Sequence, residues 1–226
     1  MTLAKIPDLV IESELMSQYG CVVGLDEVGR GAVAGPLTVG AVAINSVTEF
    51  PRGINDSKKL SARQRERLVL PIQEWCVAWS LGSSSPQEID EWGIAASLTL
   101  AAHRALLGLA VVPACALLDG NINFLRSDRT LTELAPVDFH YSRLPVRTVV
   151  RGDQNSVTIA AASILAKVYR DAEMVKLAEK APEFGFSGNK GYLSRDHVTA
   201  LEAHGVSIWH RRSWSIPGKH AEYKGI

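Results

Sequence analysis

Short apolar runs bounded by polar or turn residues alternate with stretches of three-to-four periodicity along this chain. Cys21–Leu25 reads as a buried strand that runs into the acid pair Asp26-Glu27. Leu37–Ile44, rich in valine and alanine, is the next strand of a hairpin, and Cys76–Leu81 is a third strand. Between them Asn55-Asp56-Ser57 forms a polar turn before a helix over Ala62–Gln73. Ser85 with Glu88 makes a capping box and Pro86 fits the first helical position, so a long helix is predicted from about Pro86 to Leu109. Ala114–Leu118 and Val146–Val150, bounded by Pro113, Asp119 and Pro145, are further strands. Residues 158–177 are helical by spacing. Pro182, Gly185, Gly188 and Gly191 then break the chain before a last helix near Ser194–His204. The order predicts an α/β fold, a mixed sheet covered by helices on both faces. The 121–144 connection is long for its place and is expected to be a surface excursion.

Composition narrows the picture only modestly. With 226 residues, 46% hydrophobic and 21% charged, the chain is an ordinary globular protein of one domain with room for a small appendage. Its formal net charge of zero gives no global case for nucleic acid. Locally, Glu49–Arg67 and the stretch from Ser187 onward each hold six basic residues against three acids, as suits a polyanion bound beside an acidic centre. Either patch alone also reads as a solvated helix face. Cys21, Cys76 and Cys115 are odd in number and sit in apolar surroundings, which predicts reduced core thiols. The start of the chain is more acidic than basic, unlike a signal peptide, and no apolar run approaches the ~20 residues of a membrane span. A cytoplasmic protein, not bound to membranes, is expected.

The densest chemistry lies in Asp26-Glu27-Val28-Gly29-Arg30-Gly31. Carboxylates at the end of a buried strand need cationic compensation. The glycines permit close backbone approach, and the arginine offers a phosphate-binding fork. Asp119 and Asp153 also end apolar segments. Together these acids suit the oxygen-ligated magnesium or manganese ions of two-metal phosphodiester hydrolysis. Neighbouring strand residues point to opposite faces. Asp26 and Glu27 therefore share a site only if the strand ends at Asp26 or if Glu27 acts partly through its carbonyl. Singly, each landmark has a plain reading. Asp119-Gly120 could be a turn, Asp153 a helix cap, Asp171 half of an ion pair with Lys167, and Arg30 a structural salt bridge. Lys58 and Lys59 stand where ammonium groups reach phosphates. His210-Arg211-Arg212 reads as a phosphate-facing cluster or a basic surface. The six histidines make no zinc-like spacing with the cysteines.

At these residues the chain resembles the type 2 ribonucleases H (ribonuclease HII). The matching motifs are Asp26–Gly31, Asn55–Ser61, Leu118-Asp119-Gly120, Gly152-Asp153, Ile159–Val168 with Arg170-Asp171, Lys190-Gly191-Tyr192 and His210–Ser213. They run in order over about residues 21–214. The resemblance implies a ribonuclease H-like catalytic domain over residues 1–185 and a small helical C-terminal extension over 186–226. It also implies a metal-binding, catalytic quartet of Asp26, Glu27, Asp119 and Asp153 holding two Mn²⁺ or Mg²⁺ ions, with Asp171 behind it. Gly29, Arg30, Gly31, Lys58, Lys59, Tyr192 and Arg212 would bind substrate. The Gly29-Arg30-Gly31 backbone and Tyr192 would read a ribose 2′-hydroxyl, the group that separates RNA from DNA. The implied activity, for a monomer, is endonucleolytic hydrolysis of RNA in RNA–DNA hybrids. It extends to cutting 5′ of single ribonucleotides in duplex DNA, leaving 3′-hydroxyl and 5′-phosphate ends. Arg151 stands where the family commonly has lysine, and Leu193-Ser194 where proline and threonine are frequent. The rivals are a DNA-directed metal nuclease of similar fold and a non-catalytic hybrid-binding protein.

Overall fold

The computed structural model describes residues 6–127, 135 and 137–218. Five strands form one sheet in the order β3-β2-β1-β4-β5. Strands β1 (Val22–Val28), β2 (Leu37–Ile44) and β3 (Ala78–Ser84) are antiparallel neighbours. Strands β4 (Cys115–Asp119) and β5 (Val146–Val149) add in parallel on the other side of β1. Every residue of β2 is buried, as expected of an apolar run inside a sheet covered on both faces.

The longer helices among the described residues are α1 (Val10–Tyr19), α2 (Ala62–Trp75), α3 (Pro86–Leu107), α4 (Val157–Lys180) and α5 (Arg195–His204). The predicted capping box of Ser85 with Glu88 closes on α3, and a second one, Ser61 with Gln64, closes on α2. On one face Val23, Leu25, Val39 and Ala41 pack with Leu98, Ala101 and Ala105 of α3. On the other, Val42 and Ile44 pack with Ile72 of α2 and with Ala161 and Ile164 of α4. Two expectations need correction. The 86–109 helix is broken at Gly93, whose φ of 76° leaves helical space and turns the chain, so two helical segments share the run. In the 121–144 connection, Phe124, Leu125, Phe139 and Tyr141 are buried rather than on the surface, because apolar residues within a loop can still complete a core. Residues 128–134 and 136 of that connection lie outside the described residues.

Helix α4 lies almost directly on β1 and β2 because both strands present glycine to it. A Cβ on Gly24 would stand 2.5 Å from the Thr158 carbonyl carbon and Oγ1, and one on Gly40 would overlap the Ala162 carbonyl. The N-terminus of α4 is fixed from the far side by Glu12, which is fully buried. Its Oε1 accepts from Ser156 Oγ at 2.7 Å, Thr158 N at 2.9 Å and Thr158 Oγ1 at 2.9 Å. Asp26, on β1, and Asp153, in the 3₁₀ turn just before α4, are thus held near one another by this packing. Gly24→Ala is expected to cost roughly 1–3 kcal/mol by forcing α4 off the sheet. Urea unfolding of the variant measures this, and an unchanged midpoint would mean that α4 accommodates the methyl group freely.

Candidate active site

Strand β1 stays regular through Val28, so Asp26 and Glu27 alternate; the strand does not end at the first acid. Asp26, 6% exposed, lies on the α4 side, where Ser163 hydrogen-bonds it. Ser163 Oγ in turn lies 2.8 Å from Ser57 Oγ. Glu27 lies toward α3 and meets Arg30 in an ion pair of 3.5 Å. Two cavities adjoin at this pair. One, of about 360 Å³, is walled by Asp26, the Val28–Gly31 turn, Lys58, Ser163, Lys167 and Tyr192. The other, of about 780 Å³, runs past Asp119 to Trp92 and Arg126. Glu27 and Arg30 line both.

Asp119 closes β4, and its Oδ1 accepts from the Gly152 amide at 2.6 Å. Arg151 adopts a left-handed φ of 55°, turning the chain so that a 3₁₀ turn, Gly152–Gln154, carries Asp153 inward to 4% exposure. The electrostatics tie these groups together. Burial, then the neighbouring charges of Asp119, Glu27 and Asp153, push the Asp26 carboxyl well above its usual range, although Ser163 opposes this. Burial also raises Glu27, against the pull of Arg30. Asp153 is pushed up to about 6 by burial and by the carboxylates of Asp56 and Asp119. Burial disfavours the Lys58 ammonium, but Asp153, Asp26, Asp56 and Asp119 outweigh it and raise its pKa. Five carboxylates, Asp26, Glu27, Asp56, Asp119 and Asp153, and one lysine therefore share one electrostatic site.

Asp56 escaped notice in the sequence because it sits in what reads as a turn. It is 5% exposed, caps the Lys58 amide at 2.9 Å and accepts from Gln154 Nε2 at 3.3 Å, bridging the lysine turn to the Asp153 turn. Lys58 and Lys59 are both exposed on that turn, with Lys58 on the cavity wall. Asp171 pairs with Lys167 at 2.6 Å, as its spacing predicted, and with Arg65 at 3.7 Å.

The His210–Arg212 cluster is corrected. His210 and Arg211 are 1% and 0% exposed and face no phosphate; only Arg212 is on the surface, where its amide donates to Asp90 at 2.8 Å. Burial, with the charge of His197 next, lowers His210 to about 3, and burial also lowers His197, so both imidazoles are neutral. The Ser207 amide donates to His210 Nδ1 at 3.0 Å, which puts the His210 proton on Nε2. That proton is donated to His197 Nε2 at 3.0 Å, so His197 Nδ1–H donates to the Tyr192 carbonyl at 2.9 Å. A histidine relay thus fixes the backbone of Tyr192, whose side chain remains 40% exposed at the cavity. The three cysteines are free, as expected, with Cys76 and Cys115 buried.

Residues 23–216 match the family model for Ribonuclease HII. A Ribonuclease HII from Streptomyces griseus is 42% identical over 214 residues, covering 92% of this chain and 84% of the relative. One from Shewanella amazonensis is 41% identical over 212 residues, covering 94% and 95%. Among solved structures, the ribonuclease H2 of Pyrococcus horikoshii superposes with a TM-score of 0.65 at 28% identity, covering 86% of this chain and 94% of that one. The ribonuclease HII of Archaeoglobus fulgidus, solved in complex with PCNA, gives 0.66 at 28% identity over 86% and 95%. With Asp26, Glu27, the glycine turn and Tyr192 lining one cavity and Asp119 the adjoining one, the chain belongs to the ribonuclease HII family of metal-dependent endoribonucleases.

Proposed function

We propose that this ribonuclease cleaves the RNA strand of RNA–DNA hybrids and cuts on the 5′ side of single ribonucleotides embedded in duplex DNA. The ends left are a 3′-hydroxyl and a 5′-phosphate. The observation that carries this reading is the coupling of Lys58 to Asp26, Asp119 and Asp153 beside the Gly29–Gly31 turn, exposed at Arg30 and Gly31, and Tyr192. Residues 186–226 act here as an extension that carries Tyr192 to a site opened by residues 1–185.

The donor set fits hard divalent cations. All four candidate ligands, Asp26, Glu27, Asp119 and Asp153, offer only oxygen, and their crowding leaves negative charge short of compensation. As the side chains stand, no three described acidic, histidine or cysteine groups form a closed metal cage. Asp119 Oδ1 is engaged by the Gly152 amide, so completing a cage requires that contact to yield. When bound, Mg²⁺ or Mn²⁺ supplies an activated water and charge neutralisation at the phosphate. The protein's own groups do the rest. Lys58 and Lys59 hold phosphate oxygens, and Arg212 adds a contact along the duplex. The amides of the Gly29–Gly31 turn bond the ribose, and the Tyr192 ring and hydroxyl bear on the sugar. The 2′-hydroxyl serves recognition and is not the nucleophile, so no cyclic phosphate forms.

Asp26→Asn, Asp119→Asn and Asp153→Asn are each expected to lower kcat by more than the roughly 10- to 100-fold that losing an outer-shell partner costs, with the fold intact. The assay is cleavage of a duplex carrying one ribonucleotide, at saturating magnesium, with product ends identified by gel mobility. Near-wild-type turnover in any one variant removes that residue from the ligand set.

The metal-free protein should also titrate. Asp153 holds its proton to about pH 6 when folded, against about 3.9 for an unperturbed aspartate. The folded state binds the proton more tightly, so this group's stabilisation is complete below about pH 4 and is lost as pH rises through 6. Asp153→Asn keeps a neutral group that can donate to Asp56. Above pH 6 its metal-free melting temperature should exceed wild type by on the order of a few degrees, the gap closing toward pH 4. A pH-independent gap would mean that Asp153 is not protonated in the folded state.

A further inference from the structure

The Gly29-Arg30-Gly31 turn rests on two buried guanidinium groups. Arg170 and Arg211 are each 0% exposed, and among the described residues neither forms an ion pair with a carboxylate. Arg211 donates from Nη2 to Gly29 O at 2.7 Å, from Nη1 to Arg30 O at 2.9 Å, and from Nη2 to Gly35 O at 3.1 Å. Arg170 donates from Nε to Pro36 O at 2.7 Å, from Nη1 to Lys190 O at 2.9 Å, and from Nη2 to Ala34 O at 3.2 Å. The Arg170 guanidinium also sits 5.7 Å from the centre of the Tyr192 ring. A buried charge is costly unless polar groups compensate it. Here the compensation comes from carbonyl dipoles, and those carbonyls belong to the residues around the proposed ribose reader.

Peptide geometry turns this into a statement about function. No peptide bond in the described chain is cis, and across a planar trans unit the C=O and the next N–H point in opposite directions. Drawing the Gly29 and Arg30 carbonyls inward onto Arg211 therefore drives the Arg30 and Gly31 N–H groups outward. Among the described residues nothing accepts from either amide, and both residues are exposed at the cavity. The Gly29 position demands glycine twice over: φ is 89°, and a Cβ would overlap the Arg170 guanidinium. We propose that Arg211 is a positioning residue for substrate choice, aiming the Arg30 and Gly31 amides at the ribose 2′-hydroxyl, with Arg170 as the second brace under Tyr192. This rests on the ribose-reading role proposed above. Burial and the charge of Arg170 lower Arg211 to about 9, which leaves it cationic at neutral pH and able to keep its hold. Lysine cannot replace it, since one ammonium is a point donor where the fork spans three carbonyls.

The test is equilibrium binding in chelator, by fluorescence anisotropy, of two duplexes that differ only in one ribose. Wild type is expected to prefer the ribonucleotide duplex over all-DNA. In Arg211→Lys that preference should fall about two- to twelve-fold, the worth of one hydrogen bond, while the Kd for all-DNA stays unchanged. A merely structural arginine would lower the melting temperature and leave the ratio alone; that result overturns the inference. A wild type with no preference would instead sink the ribose reading itself. If the variant does not fold, amide exchange on wild type decides. The bonded amides of Val33, Ala34 and Gly35 should exchange as slowly as β1, and rapid exchange there with β1 protected would overturn the bracing.

Discussion

Carboxylates crowded where water is scarce are the constraint around which this structure is organised. Asp26, Glu27 and Asp153 lose hydration where they stand and lie under the negative charge of Asp119 or Asp56. The protein meets this with little positive charge of its own. Lys58 is coupled to four of them, and Arg30 pairs with Glu27. What is left uncompensated shows in the carboxyls of Asp26 and Asp153, whose pKa values are raised by burial and by their acidic neighbours. A site left short of cations by its own residues is one prepared to receive them from solution.

Such crowding persists only if the backbone cannot relax away from it. Glycine at Gly24 and Gly40 lets α4 approach β1 and β2 to backbone contact, and Glu12 holds the start of α4 from the opposite side. Asp153 precedes that start by a single 3₁₀ turn, so its distance from the strand-borne acids is set by sheet–helix packing. Moving the carboxylates apart would require lifting a 24-residue helix off the core. Close packing thus opposes the electrostatic repulsion directly.

How far the sequence revealed this depends on what carries each feature. Strand and helix positions followed from periodicity and caps, because hydrophobic burial and orphan amides leave local marks: β2 and the Ser85–Glu88 capping box lie where the pattern put them. Asp26, Asp119 and Asp153 stood out because acids at the ends of apolar runs are conspicuous. Gly93 did not, since a single glycine within a helical pattern does not declare whether it is helical or a break. Asp56 looked like a turn residue because its importance lies in Gln154 and Asp153, almost a hundred positions away. His210 and Arg211 were misread for a related reason. A basic residue that faces carbonyls has the same letter as one that faces phosphate, and only the fold shows which acceptor it meets.

That ambiguity bears on how positive charge is deployed here. The cations Lys58, Lys59, Arg30 and Arg212 are exposed and are screened by salt. The buried pair, Arg170 and Arg211, is neither. Their hydrogen bonds go to main-chain carbonyls on the 29–36 turn and on Lys190, the residue two before Tyr192. The histidine relay through His210 and His197 grips the same tyrosine from its other side. On the function and inference proposed above, affinity for nucleic acid falls to the surface charges, and discrimination between sugars to a backbone held by buried ones. The two functions draw on one residue type but on opposite environments, so each can be altered without the other.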